Sequence, residues 1–115
     1  MVELNKAKSN ARAHITFVRL QMYANAFNKY HTMFGSWPST VAELTNNQSA
    51  IVFVAEPRGF TDAWGRPMHF RPYSATAGHG ILLSFGRDGR EGGVGLDADI
   101  VFYFPHGESR LPSRP

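Results

Sequence analysis

From Leu4 to Phe34 the chain contains neither glycine nor proline, and this uninterrupted run constrains the architecture more than any other feature. Apolar residues recur within it at helical spacing: Ile15, Val18, Met22 and Ala26 on one line, Tyr23, Phe27, Tyr30 and Phe34 on the next. The spacing predicts one amphipathic helix over 4–34, about 46 Å long at about 1.5 Å per residue. Gly35 is placed to cap its C terminus and Pro38 forbids continuation, which leaves Trp37 free to fold back on the body. Helices in globular proteins average about 11–12 residues, so this one is far longer than a small core requires. Its entry is polar as well. Between Asn5 and His14 the only apolar residues are Ala7, Ala11 and Ala13, beside Lys6, Lys8, Ser9, Asn10 and Arg12. This part is expected to project as a solvated stalk or to continue a helix whose upstream half is missing; a frayed first turn is the plainer alternative.

A chain of 115 residues has room for one core and one domain, spanning 1–115. With 43% hydrophobic residues it can build that core. No run of about 18 apolar residues or signal-peptide segment is present, so the chain as it stands reads as soluble. The absence of cysteine excludes disulfides, thiolate zinc sites and cysteine nucleophiles. A net charge of +3 is only mildly basic, and its 12 Lys and Arg are scattered, which argues against nucleic acid as a partner.

Residues 35–67 read as a variable connector. Thr40 and Glu43 stand at capping-box spacing around Val41-Ala42-Glu43-Leu44, predicting a short helix. Between Asn46 and Gly59, Ile51-Val52-Phe53-Val54 suits either a short strand or a packed loop. Three strands are expected at Met68–Pro72, Ile81–Phe85 and Ile100–Phe104, with a hairpin at Ser74–Gly80. They give a three-stranded antiparallel meander with one face packed on the aromatic stripe of the helix, an α+β domain of two layers with the sheet region at 68–104. The tail, 105–115, has three prolines and no periodicity and is expected to be loose or draped over the surface.

The stretch from Phe85 to Ile100 concentrates Gly86, Gly89, Gly92, Gly93 and Gly95 with Asp88, Asp97 and Asp99. Closely spaced carboxylates repel unless a cation or hydrogen-bond donors lie between them, and glycines let carbonyls turn inward. Calcium, which takes six to eight oxygen ligands in irregular geometry, suits such a donor set better than magnesium or zinc. The pattern is not an EF-hand, because Arg90 stands where that loop needs Asp or Asn and Asp99 where it needs Glu. A solvated hairpin loop whose aspartates are satisfied by Arg87 and Arg90 remains the alternative.

His14, His31, His69, His79 and His106 form no helical metal pair, and no nucleophile elbow or P-loop is present, so an enzyme is not indicated. Trp64, within Asp62-Ala63-Trp64-Gly65-Arg66-Pro67, reads as a core or lid residue, and Asp62 as a local cap or bridge. Arg58, Phe60, Arg66, Phe70, Arg71 and Tyr73 allow a weak nucleic-acid reading through stacking, against which a solvated strand face is favoured.

Taken in order, the Ala-Arg helix entry, Gly-Ser-Trp-Pro-Ser-Thr at 35–40, Asp-Ala-Trp-Gly-Arg-Pro at 62–67 and the loop from Ser-Phe-Gly-Arg-Asp-Gly to Asp-Ala-Asp-Ile resemble the major pseudopilins of bacterial type II secretion systems, the G component. The likeness spans about Lys6 to Phe102 and implies a pilin-like fold and a non-enzymatic fibre subunit. It implies a periplasmic domain anchored in the inner membrane by an N-terminal segment absent here, with Met1 as an added start. The implied partners are further copies in a helical fibre, minor pseudopilins and the inner-membrane secretion platform. The implied cofactor is Ca2+, held by the side chains of Asp88, Asp97 and Asp99 and the backbone carbonyls of Phe85 and Arg90. Ala63 in place of the usual proline, Val101–Phe104 in place of an Asn-Trp ending and the extra tail depart from the family pattern. A type IV pilin, a minor pseudopilin or a DNA-binding pilin-like module are the alternatives.

Overall fold

The computed structural model describes residues 2–46, 49, 51–54, 59–105 and 109–110, with the side chains of 2–9, 96, 109 and 110 outside the description. Helix α1 runs Val2–Phe34, 33 residues, and ends where the Gly35 N–H donates to the His31 carbonyl at 2.8 Å. Four strands follow: β1 His69–Ser74, β2 His79–Ser84, β3 Ile100–Phe104 and β4 Ser109–Arg110. The sheet order is β1-β2-β3-β4, all neighbours antiparallel. The expected meander is therefore present. The two-residue β4, pairing with Val101 and Phe102, extends its edge within a tail expected to be loose; residues 106–108 and 111–115 of that tail lie outside the described residues.

β1 continues past Pro72 to Ser74 because it is an edge strand, where the missing proline N–H costs no ladder bond. The register nevertheless shifts between Arg71 and Ser74. Val41–Leu44 forms a 3-10 turn, not an α-helix, and the capping box is displaced by one residue: Thr40 makes no side-chain cap, while Glu43 accepts the Ser39 N–H at 2.6 Å. The Ile51–Val54 ambiguity resolves to a packed loop, with the Phe53 N–H on the Leu44 carbonyl at 2.8 Å and Val54 buried.

The helix packs chiefly over β3 and then β2. Its buried face is Ala13, Thr16, Leu20, Tyr23, Ala24, Ala26 and Phe27, meeting Leu82, Ile100, Phe102 and Phe104. The aromatic stripe is buried as expected through Tyr23 and Phe27, and of the other line only Ala26 is buried. Ile15, Val18 and Met22 are 44, 39 and 39% exposed, because they stand two positions beyond Ala13, Thr16 and Leu20 and so about 200° around the helix. Apolar residues thus line two opposite faces, of which the sheet covers one. Phe27 holds the centre of the core, with its ring centroid 4.9 Å from that of Phe104 and 4.8 Å from that of Phe70, both edge-on. Trp37 does fold back, stacked between His31 at 4.1 Å and Tyr73 at 5.3 Å. Gly80 is required by this core, since a Cβ there would enter the Phe104 ring.

Truncating Phe27 to Ala should cost about 3–5 kcal/mol, whereas Val18→Ala on the outward face should stay within about 0.5 kcal/mol. Urea denaturation of the two variants measures the difference. Equal losses would mean that the buried face of α1 has been misidentified.

Candidate metal site

The Gly/Asp-rich segment joins β2 to β3, and its base rests on a buried polar network. Asp62, only 2% exposed, accepts the backbone N–H groups of Trp64 and Arg66 on Oδ1, each at 3.0 Å. Its Oδ2 accepts the Ser84 hydroxyl at 2.9 Å, and Ser84 Oγ in turn accepts the Gly86 N–H at 3.2 Å. From the helix, Thr16 Oγ1 accepts the Ala63 N–H at 3.0 Å while donating to the Arg12 carbonyl, and Arg19 donates to the carbonyls of Thr61 and Asp62. One network therefore joins α1, the turn at 61–67, the end of β2 and the loop entrance. Gly86 has φ +78°, and a Cβ there would meet the carbonyl oxygens of Asp97 and Ala98, so the two ends of the loop touch backbone to backbone. Arg66 reaches across Gly89 and donates from Nη1 to the Arg87 carbonyl at 2.6 Å.

Above this base the three aspartates have different surroundings. Asp97 is engaged by Arg87 through both oxygens, Nε to Oδ1 at 2.9 Å and Nη2 to Oδ2 at 3.1 Å. That hydrogen-bonded guanidinium holds the Asp97 carboxyl below the usual carboxylate range, and Asp97 raises Arg87 in return. Asp88 accepts the Arg90 N–H at 3.0 Å in a local turn. Asp99 accepts the Gly92 N–H at 3.1 Å, yet its pKa is raised: burial is the largest cause, and the charges of Glu91 and Asp88 add to it against the opposing Gly92 N–H and Arg71. Arg71 itself pairs with Glu91 at 3.4 Å. Phe85, whose carbonyl was assigned as a ligand, is positioned by its ring stacking on His69 at 4.2 Å.

The fold thus brings Asp88, Asp97 and Asp99 into one loop without joining them in a ligand shell. Among the described residues no three His, Asp or Glu side chains converge as a metal cluster. The negative charges of Glu91 and Asp88 act on Asp99, while both oxygens of Asp97 are taken by Arg87.

The other singled-out residues serve the core. Trp64 is half-buried against it, with an indole N–H that finds no acceptor among the described residues. Phe60 packs edge-on to Tyr23 at 4.6 Å, Phe70 on Phe27 and Tyr73 on Trp37, so these rings are turned inward and not toward bases. Arg58 and His106 lie outside the described residues. Sequence reasoning missed Thr16, Ser84 and the reach of Arg66. The signal for Asp62 was present in Asp-Ala-Trp-Gly, where an aspartate before a glycine turn accepts N–H groups two and more residues on.

A family model described as type II secretion system, protein G, matches residues 3–103. Neither the curated proteins nor the solved structures yield a match.

Replacing Asp62 with Ala strands two backbone N–H groups and the Ser84 hydroxyl, and should cost about 3 kcal/mol or more in denaturant titration. Because the Asp99 pKa is raised on folding, its contribution to stability falls as pH rises through the acidic range, and at neutral pH its charge is a net cost. In chelator at pH 7, Asp99→Asn, which keeps the acceptor for Gly92, should therefore raise the melting temperature slightly. That gain should vanish below the carboxylate range, and calorimetry against pH tests it.

Proposed function

This chain belongs to the type II secretion system protein G family, and from that membership we propose that it is a major pseudopilin, the repeating subunit of a short periplasmic fibre that drives protein export across the outer membrane. The observation that carries the reading is the family match from residue 3 to residue 103, which takes in the long helix, the meander and the Gly/Asp loop together. The family is one of structural subunits, and the role asks for surfaces, not for a catalytic centre. No helix among the described residues is long and apolar enough to cross a membrane. In this reading the domain lies on the periplasmic side of the inner membrane, to which pseudopilins of this family are anchored.

Assembly needs an apolar surface that the monomer leaves open. The outward line of Ile15, Val18 and Met22 supplies one on a rigid element, and further copies of the chain are its occupants in the fibre. Minor pseudopilins and the inner-membrane platform complete the set of partners. Calcium is the structural cofactor in this reading, taken by Asp88 and Asp99, with Asp97 and the carbonyls of Phe85 and Arg90 completing the shell. It would supply charge neutralisation and cross-bridging of the loop, which stiffen the end of the β2–β3 pair.

Deleting the full-length gene should abolish release of exoproteins into the medium, and secretion that continues unchanged would refute the pseudopilin role. In the complemented strain, Val18→Asp with Met22→Asp should block secretion while the isolated domain melts within a few degrees of wild type. Calcium at about a hundredfold its dissociation constant should stabilise the domain by about 2.7 kcal/mol, and Asp88→Ala should remove that gain. A melting temperature indifferent to both calcium and chelator would end the calcium reading.

A further inference from the structure

Two apolar features of different shape remain open to solvent, and together they hold five of the seven exposed large apolar side chains among the described residues. The first is convex: Ile15, Val18 and Met22 project from about two turns of α1. The second is concave. Between the last turns of α1, at Asn28, Thr32 and Met33, and the loop at Ile51, Val52 and Phe53 lies a mostly apolar groove of about 440 Å³. Met33 and Val52, 57 and 58% exposed, stand in its walls. The loop wall is fixed before anything docks, because the Phe53 N–H is bound to the Leu44 carbonyl at 2.8 Å and the Phe53 ring packs on Tyr30 and Phe34 with centroids 5.5 and 5.8 Å away. A preformed wall spares a partner the cost of ordering it. Met33 stands about five full turns beyond Ile15 and so in line with it, which places the groove at the C-terminal end of the same line.

We propose that this groove is the receiving surface for the line of Ile15, Val18 and Met22 on a second copy of the chain. The inference rests on the fibre-subunit reading given above and names the second surface that this reading requires. Copies related by a two-fold axis would set line on line, leave both grooves empty and stop at a dimer, whereas an open fibre needs two unlike surfaces on every subunit. This chain has them, one protruding and one hollow, at different heights on one helix. Docking the line of each copy in the groove of the next leaves a line free at one end and a groove free at the other. The difference in height advances each copy past the last, so that no ring closes. A groove of this volume takes several side chains, and a row of three spread over about 10 Å of helix supplies them.

Because the chain has no cysteine, single introduced thiols report the contact without background. Two differently tagged full-length copies, one Met22→Cys and one Val52→Cys, are co-expressed in the secreting strain and treated with a short thiol-to-thiol cross-linker. Both positions are exposed, so neither substitution disturbs the core. The mixed dimer should exceed severalfold that formed by Met22→Cys with Val94→Cys, a residue 83% exposed in the β2–β3 loop. One chain carrying both Met22→Cys and Val52→Cys should give a ladder of higher oligomers. Val52→Asp should block secretion while the isolated domain melts within a few degrees of wild type. Met22→Cys homodimers in place of the mixed species, a mixed yield no greater than with Val94→Cys, or normal secretion by Val52→Asp would overturn the groove and leave the pseudopilin role standing. Secretion that survives deletion of the gene would remove both.

Discussion

The buried carboxylate of Asp62 is the constraint to which the rest of this structure answers. Leaving such a group unpaired in a small domain is costly, and here both oxygens accept hydrogen bonds, from two backbone N–H groups of its own turn and a hydroxyl of β2. Those three bonds fix the turn at 61–67 against the sheet. The turn then offers Ala63 N–H and two carbonyls to Thr16 and Arg19 on α1, so the polar interlock runs alongside the aromatic core. Ser84 passes the arrangement on to Gly86, where the Asp-rich loop begins. Helix position, the end of β2 and the loop entrance are thereby joined through one side chain that is only 2% exposed.

The parts of this architecture legible in the sequence are those with local causes. The end of α1 followed from Gly35 and Pro38, and the loop between the last two long strands from its glycines and aspartates. The aromatic part of the helix's buried face was legible, whereas its first half was less so, because it includes Thr16, a polar residue whose burial depends on an N–H 47 positions away. Ser84 gave no signal either, since its partner is 22 residues distant. In the loop, composition identified the acids as a group and even Arg87 as a candidate neutraliser. Which aspartate the arginine takes depends on how the 3-10 turn Gly95–Asp97 folds back, and that is tertiary information.

Electrostatics divides the loop along its length. The Arg87–Asp97 half is balanced and ties the two strand ends together, whereas the half containing Asp88, Glu91 and Asp99 carries excess negative charge beside a partly buried carboxyl. The many glycines allow both halves to keep their backbones in contact at Gly86 while the tip adjusts.

The contact between Gly80 and Phe104 couples two positions directly opposed in the β2–β3 register. The ring lies where any side chain on residue 80 would be, so the pair shares one fixed volume between two sites. Such a pair evolves as a unit: a larger residue at 80 is tolerable only with a smaller one at 104, and neither step is acceptable alone, because the first overfills the space and the second empties it. Within a lineage of this fold, the two positions should therefore co-vary in size, and their sum should drift less than either member.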